Sequence, residues 1–238
     1  MTIEITIAGR KIGAEFPPYI IAEMSGNHNG NIERAFAIMA AAKQAGADAV
    51  KLQTYTPDTM TIDHDGRGFV IEDGLWRGRS LYELYRWAQT PWDWHKPLFE
   101  RGREIGITVF SSAFDSTAVD LLESLETPAY KIASLEIVDL PLIRRVAKTG
   151  KPLIISTGAA NFEEIEEAVA AARGAGCREL ILLHCTSGYP TPAKESNLRT
   201  IPHLAGAFDV VLGLSDHTSA PPCRWRPSHW APRSSKNI

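Results

Sequence analysis

Seven short β-branched apolar runs recur along the chain, at 18–23, 48–53, 107–111, 129–133, 152–156, 179–184 and 209–214. Helical segments fall between them, at 31–45, 92–105, 115–125, 139–149, 161–174 and, more weakly, 200–207. Local signals agree with these bounds. Asn161 stands ahead of Glu163 and Glu164 as an N-cap with first-turn acids, and Gly46, Gly106 and Gly150 close helices before the next strand. Repeated strand–helix units of this kind make a parallel sheet with right-handed crossovers. One connection, 54–91, is longer than a bare crossover loop needs to be, and its Gly66, Gly68, Gly74 and Gly78 stand among aromatic residues.

The strand ends choose between an open sheet and a barrel. Polar or ionisable residues recur where each strand finishes: Glu23, then Lys51 and Gln53, Ser111 and Ser112, Lys131 with Ser134 and Glu136, Ser156 and Thr157, His184 and Thr186, and Ser215 with Asp216 and His217. A doubly wound sheet concentrates its site at one switch point, whereas a barrel builds its site from all the loops that follow its strands. The expected architecture is a (β/α)₈ barrel of the TIM type with seven strands recognisable.

The composition excludes several classes. The first 218 residues carry 21 basic against 28 acidic side chains, so there is no nucleic-acid footprint. Cys177, Cys185 and Cys223 are odd in number and lack metal-ligand spacing, which points to a reducing cytoplasm. The opening Met-Thr-Ile-Glu-Ile has no basic stretch before an apolar one, and no apolar run is long enough to span a bilayer. A cytoplasmic protein is expected.

Two lysines carry the strongest chemical signal. Lys51 and Lys131 lie inside apolar strand sequence, where an ammonium is costly unless it meets an anion, forms a Schiff base or snorkels outward between helices. Hydroxyls recur on neighbouring strands at Ser112, Ser134 and Ser156, and two lysines ringed by hydroxyls and loop amides describe a phosphate pocket better than a Schiff-base pocket. In Glu23-Met-Ser-Gly-Asn-His-Asn-Gly30, a turn and a helix cap account for Asn29, Gly30 and Asn31, while Glu23 and His28 are expected to face the barrel mouth. His217 is a single imidazole beside a carboxylate, and the residues alone offer no obvious second metal ligand.

Taken together, Ile21-Ala-Glu-Met-Ser-Gly-Asn-His-Asn-Gly30, Val50-Lys-Leu-Gln-Thr54, Tyr130-Lys-Ile-Ala-Ser-Leu-Glu136, Ile155-Ser-Thr-Gly158, Leu183-His-Cys-Thr-Ser-Gly-Tyr-Pro-Thr191 and Gly213-Leu-Ser-Asp-His-Thr218 resemble the sialic acid synthase family. The long second loop, with Tyr55–Thr61, Gly74–Tyr85 and Thr90–His95, resembles its pseudaminic acid synthase branch. The resemblance implies a condensation of phosphoenolpyruvate with the open-chain aldehyde of an amino sugar, here 2,4-diacetamido-2,4,6-trideoxy-L-altrose. A divalent metal, typically manganese, polarises the aldehyde, and phosphate leaves by C–O cleavage. Carried over by position, Lys51, Ser112, Lys131, Ser134, Ser156, Ser187 and Ser215 match the phosphoenolpyruvate-binding set. Glu23 and Glu136 match the catalytic acidic pair, Asn27 and Tyr189 match sugar-site positions, and His217 matches a metal ligand. The family is homodimeric.

The sequence departs from the family after Thr218. There the family continues into an eighth strand carrying its second metal histidine, followed by a small antifreeze-like domain. Residues 219–238 instead hold four basic residues, no acid, and Pro221, Pro222, Pro227 and Pro232, which oppose both a long helix and a central strand. The expected organisation is an incomplete synthase barrel over 1–218 and an irregular Pro/Arg/Trp-rich tail over 219–238. His229 in that tail lacks a scaffold to act as a replacement ligand. Three other readings stay open: an N-acetylneuraminate or legionaminate synthase, a Schiff-base aldolase on Lys51 or Lys131, and a non-catalytic remnant that binds phosphoenolpyruvate.

Overall fold

A computed structural model describes residues 3–74 and 76–218. Residues 219–238, to which the tail and His229 expectations refer, lie outside the described residues. The strands are β1 (Glu4–Ile7), β2 (Arg10–Gly13), β3 (Ile21–Glu23), β4 (Ala49–Thr54), β5 (Thr108–Ala113), β6 (Tyr130–Ile132), β7 (Leu153–Ser156), β8 (Leu180–Cys185) and β9 (Val211–Ser215). The helices are α1 (Ile32–Gln44), α2 (Pro57–Met60), α3 (Leu81–Ala88), α4 (Trp92–Ile105), α5 (Ser116–Ser124), α6 (Leu140–Ala147), α7 (Phe162–Gly174) and α8 (Thr200–Ala207). The seven predicted strands form one curled parallel sheet in chain order, β3 to β9. No eighth strand joins it among the described residues, so β3 and β9 are its edges.

The helix starts follow the cap chemistry. Asn31 Oδ1 accepts from the Arg34 amide and Asn161 Oδ1 from that of Glu164, while the Glu164 carboxylate reaches back to the Asn161 amide. Gly106 ends α4 in the left-handed conformation, at φ +67°. The long connection is not bare loop. It contains α2 and α3, the latter opened by a Ser80–Glu83 capping box.

Alternation along the strands divides the apolar residues into two layers. One set, including Val50, Leu52, Val109, Tyr130, Ile132, Ile155 and Leu182, packs outward with helix residues such as Met39, Leu98, Leu122, Ile143 and Ile165. The other set, Ala49, Phe110, Ala129, Ile154, Ile181 and Val211, faces inward around Ile5 and Ile7 of the β1–β2 hairpin. The hairpin therefore plugs the N-terminal end of the curled sheet. It is tied there by the Thr6 amide to Glu179 Oε1 at 2.9 Å and by an Arg10–Asp48 ion pair. Ile7 is fully buried. Its truncation to alanine is expected to cost about 2–5 kcal/mol, read as a lowered denaturant midpoint with an unchanged slope.

Candidate active site

With the N-terminal end plugged by isoleucines, the inward face turns polar at the C-terminal strand ends. Register partners in a parallel sheet share a face, and here Glu23 pairs with Lys51, Gln53 with Ser112, Ser112 with Lys131, and Lys131 with Ile154. Ile154 belongs to the inward layer, so Lys131, Ser112 and Gln53 belong to it too. By the same alternation Lys51, Ser156, Cys185 and Ser215 face inward. The lysines do not snorkel between helices.

The two lysines are in different states. Lys51 Nζ forms an ion pair with Glu23 and donates to Ser112 Oγ at 3.3 Å. Lys131 is buried, and its Nζ donates to the Ile132 carbonyl at 2.7 Å. Burial, reinforced by the nearby Lys51 charge, lowers its pKa to about 7, against the opposing pull of Glu23, Cys185 and Glu136. Glu136 sits on the short 3₁₀ turn that follows β6, with Oε2 buried and without a hydrogen-bond partner. Burial pushes its carboxyl above the usual range, and Asp139 adds to the rise, while its own backbone amide and Lys131 oppose it.

The remaining predicted residues form two groups beside the lysines. Ser134 Oγ accepts from the Gly158 amide at 3.2 Å, which leaves its own hydrogen free to donate. A Cβ at Gly158 would stand 2.7 Å from Ser187 Oγ and 2.9 Å from Cys185 Sγ, so only glycine lets these loops meet. Ser112 and Ser156 are buried in the inward layer. On the β8–β9 side, His217 Nδ1 lies 3.1 Å from the Thr186 carbonyl, so Nδ1 carries the proton and Nε2 faces Ser215 Oγ at 3.4 Å. Tyr189, largely exposed, lays its ring 4.3 Å from that of His217. A cleft of about 510 Å³ opens beside Gly158, Cys185 and Thr186, reaching Arg199 rather than the lysines.

Asn27 sits on the 3₁₀ turn after β3, where its amide nitrogen donates to the Met24 carbonyl at 2.8 Å. His28 corrects the sequence expectation. Its ring does not face the mouth but is fully buried against Trp94, 5.4 Å between centroids, and accepts from the Gly30 amide at Nδ1. Burial lowers its pKa. Its role is to hold the first loop onto α4.

Several residues escaped the sequence reading. Ser25 donates its amide to Glu23 Oε1 and lies 3.5 Å from Gln53 Oε1, which frames the Glu23–Lys51 pair. From the long connection, α3 brings Tyr85 edge-on to Tyr55 and within the field of Glu136. Behind β4 and β5, His95 Nδ1 donates to the Pro91 carbonyl, so Nε2 accepts from Thr54, whose oxygen lies 2.7 Å from Ser111 Oγ. That buried chain fixes the strand ends that carry Gln53 and Ser112.

The described residues do not by themselves assemble the metal site expected from the resemblance. Among the described residues no group of three or more His, Cys, Asp or Glu side chains converges to hold a cation. His217 offers a single Nε2, and Glu23 is committed to Lys51. Likewise, no helix among the described residues is long and apolar enough to cross a membrane.

The model of the family described as the NeuB family matches residues 38–225. The chain belongs to the NeuB family. Within it, this NeuB-family chain is 46% identical over 207 residues to the pseudaminic acid synthase of Helicobacter pylori, covering 87% of the chain and 61% of that relative. It is 35% identical over 210 residues to the N,N'-diacetyllegionaminic acid synthase of Legionella pneumophila, covering 87% of the chain and 59% of that relative. Among solved structures, the N-acetylneuraminic acid synthetase of Leptospira borgpetersenii, crystallised with citrate, superimposes with a TM-score of 0.81 at 31% identity, over 92% of this chain and 71% of that one. The chain thus spans about 60% of the length of the curated relatives it matches.

Proposed function

We propose that the chain carries the substrate site of a pseudaminic acid synthase, which condenses phosphoenolpyruvate with 2,4-diacetamido-2,4,6-trideoxy-L-altrose to give pseudaminic acid and phosphate. The observation that carries the reading is the inward polar layer, in which two lysines and a ring of serines meet two acids at the mouth of a plugged barrel. The ordering of the relatives supports this sugar over its alternatives, since identity is higher to the pseudaminic than to the legionaminic acid synthase.

The chain's own residues have defined work in that reaction. Lys51 and Lys131 neutralise the phosphate and carboxylate, and Ser112, Ser134, Ser156, Ser187 and Ser215 donate to their oxygens. The bound enol is then held with C3 toward the sugar aldehyde; the C3–C1 bond forms as the aldehyde C=O π bond breaks, its oxygen takes a proton from solvent, and the C2 centre becomes cationic. Water adds to C2, and the Glu136 carboxylate, with one oxygen unpartnered, is placed to take its proton. Collapse of the tetrahedral intermediate breaks the bond between C2 and the phosphate oxygen. Glu23, Asn27 and Tyr189 line the sugar side. Because the described residues do not make a cation site, no step is assigned to a metal.

The experiment is phosphate release from phosphoenolpyruvate with three sugars of different configuration. Turnover with the altrose-configured diacetamido sugar is expected. Turnover only with N-acetylmannosamine or the legionaminate precursor would move the chain to a neighbouring branch.

One observation favours a second reading. A desolvated lysine beside another cation is also how Schiff-base enzymes prepare their nucleophile, and Lys131 has that environment. Borohydride trapping of pyruvate on Lys131 would establish the aldolase reading in place of the synthase.

A further inference from the structure

The inward layer holds one ion pair and one amine left over. Lys131 Nζ has a single hydrogen-bond partner among the described residues, a carbonyl, which can accept from the nitrogen in either protonation state and supplies no compensating charge. No carboxylate lies within ion-pair distance of it among the described residues, since Glu23 is engaged by Lys51. The charged and titratable groups that bear on it are Lys51 of β4, Glu23 of β3, Glu136 after β6 and Cys185 of β8, with the Lys51 charge the strongest of the four. Its register partner on β5, Ser112, is uncharged, as is Ser156 on β7. An anion that enters this layer places negative charge beside an amine that nothing else in the layer neutralises, and favours its ammonium form.

We propose that the pocket takes up one proton when its anionic substrate binds, with Lys131 Nζ as the acceptor. The inference rests on the reading of this layer as a phosphoenolpyruvate site. A proton from solvent or buffer joins the nitrogen lone pair, and no other bond forms or breaks. At a pH above the amine's own titration, binding must drag a proton in from a rarer supply, so affinity for phosphoenolpyruvate weakens about tenfold per pH unit there. Below it the proton is already present and affinity levels off.

The test is calorimetric titration of the whole chain with phosphoenolpyruvate at pH 8, where the substrate phosphate is fully ionised, in buffers of different ionisation enthalpy. With a resting value of about 7, the amine is about nine-tenths unprotonated at that pH, and uptake of about 0.9 proton is expected. Heat independent of the buffer, with binding intact, overturns the proposal. A second measurement follows the lysine side-chain signals of the ligand-free protein by NMR, with Lys131 assigned through Lys131→Met. A midpoint near neutrality that rises by two or more pH units on saturation with phosphoenolpyruvate supports the proposal. A midpoint near the ordinary lysine value of about 10.4 overturns it. If phosphoenolpyruvate does not bind at all, the reading of the pocket fails and the proposal with it. The NMR midpoint then shows whether the amine or the ligand was misassigned.

Discussion

Glu136→Gln is expected to lower kcat about 10²–10⁴-fold while leaving the affinity for phosphoenolpyruvate nearly unchanged. The substitution keeps the volume and one acceptor oxygen but removes the group proposed to take the proton from water at C2. The carboxyl oxygen Oε2 is buried and unpartnered, so the change breaks no hydrogen bond of that oxygen. As the proposed base, the same residue is expected to set the acid limb of the pH–rate profile. A base works only as the carboxylate, and burial holds the Glu136 carboxyl above its ordinary range. Activity should therefore fall, as pH is lowered, at a pH higher than an exposed glutamate would give. In Glu136→Gln that limb disappears along with most of the rate. A profile whose acid limb survives the substitution would assign the base elsewhere.

Lys51→Met has the second large effect, and it acts on binding. The ammonium is the partner of Glu23 and donates to Ser112, so its loss removes a charge from the anion pocket and leaves the Glu23 carboxylate facing the substrate's phosphate or carboxylate. Truncation of one member of such a pair typically costs about 2–5 kcal/mol, roughly 30- to 5,000-fold in Kd for phosphoenolpyruvate. The double variant Glu23→Gln/Lys51→Met should recover part of that loss, because the uncompensated acid is gone as well. A Kd unchanged in Lys51→Met would place the anion elsewhere.

The sequence exposes the sheet because its information is local: each strand is a short apolar run, and α1, α3, α5, α6 and α7 each open on a side-chain cap. Even the inward orientation of Lys51, Ser112 and Lys131 follows from alternation once the register is known. The hairpin β1–β2 was missed although Ile3, Ile5 and Ile7 alternate with polar residues. Its turn, Ala8-Gly9, takes positive φ at both positions but lacks the Asn-Gly or Asp-Gly signature that would have announced it. α3 was missed for a different reason: the glycines around it mask a helix of eight residues.

At the site, residue types were readable and their partners were not. Which of the two lysines meets a carboxylate depends on which strands neighbour each other at the mouth, so Lys51 and Lys131 look alike in sequence and differ in the fold. His28 shows the same limit. A histidine in a turn beside site residues points wherever the turn sends it, and here a 3₁₀ turn sends it into the core against Trp94. Tyr85 lies some fifty residues before Glu136 and meets its field only because the long connection folds back over the mouth.

The most direct test of the account follows the bridging oxygen of phosphoenolpyruvate. Substrate labelled there with ¹⁸O is incubated with the protein and the altrose-configured diacetamido sugar, and both products are weighed by mass spectrometry. Attack of water at C2 followed by C–O cleavage predicts that the label leaves with inorganic phosphate. Label retained in the nine-carbon acid, or no phosphate released with this sugar, would contradict it.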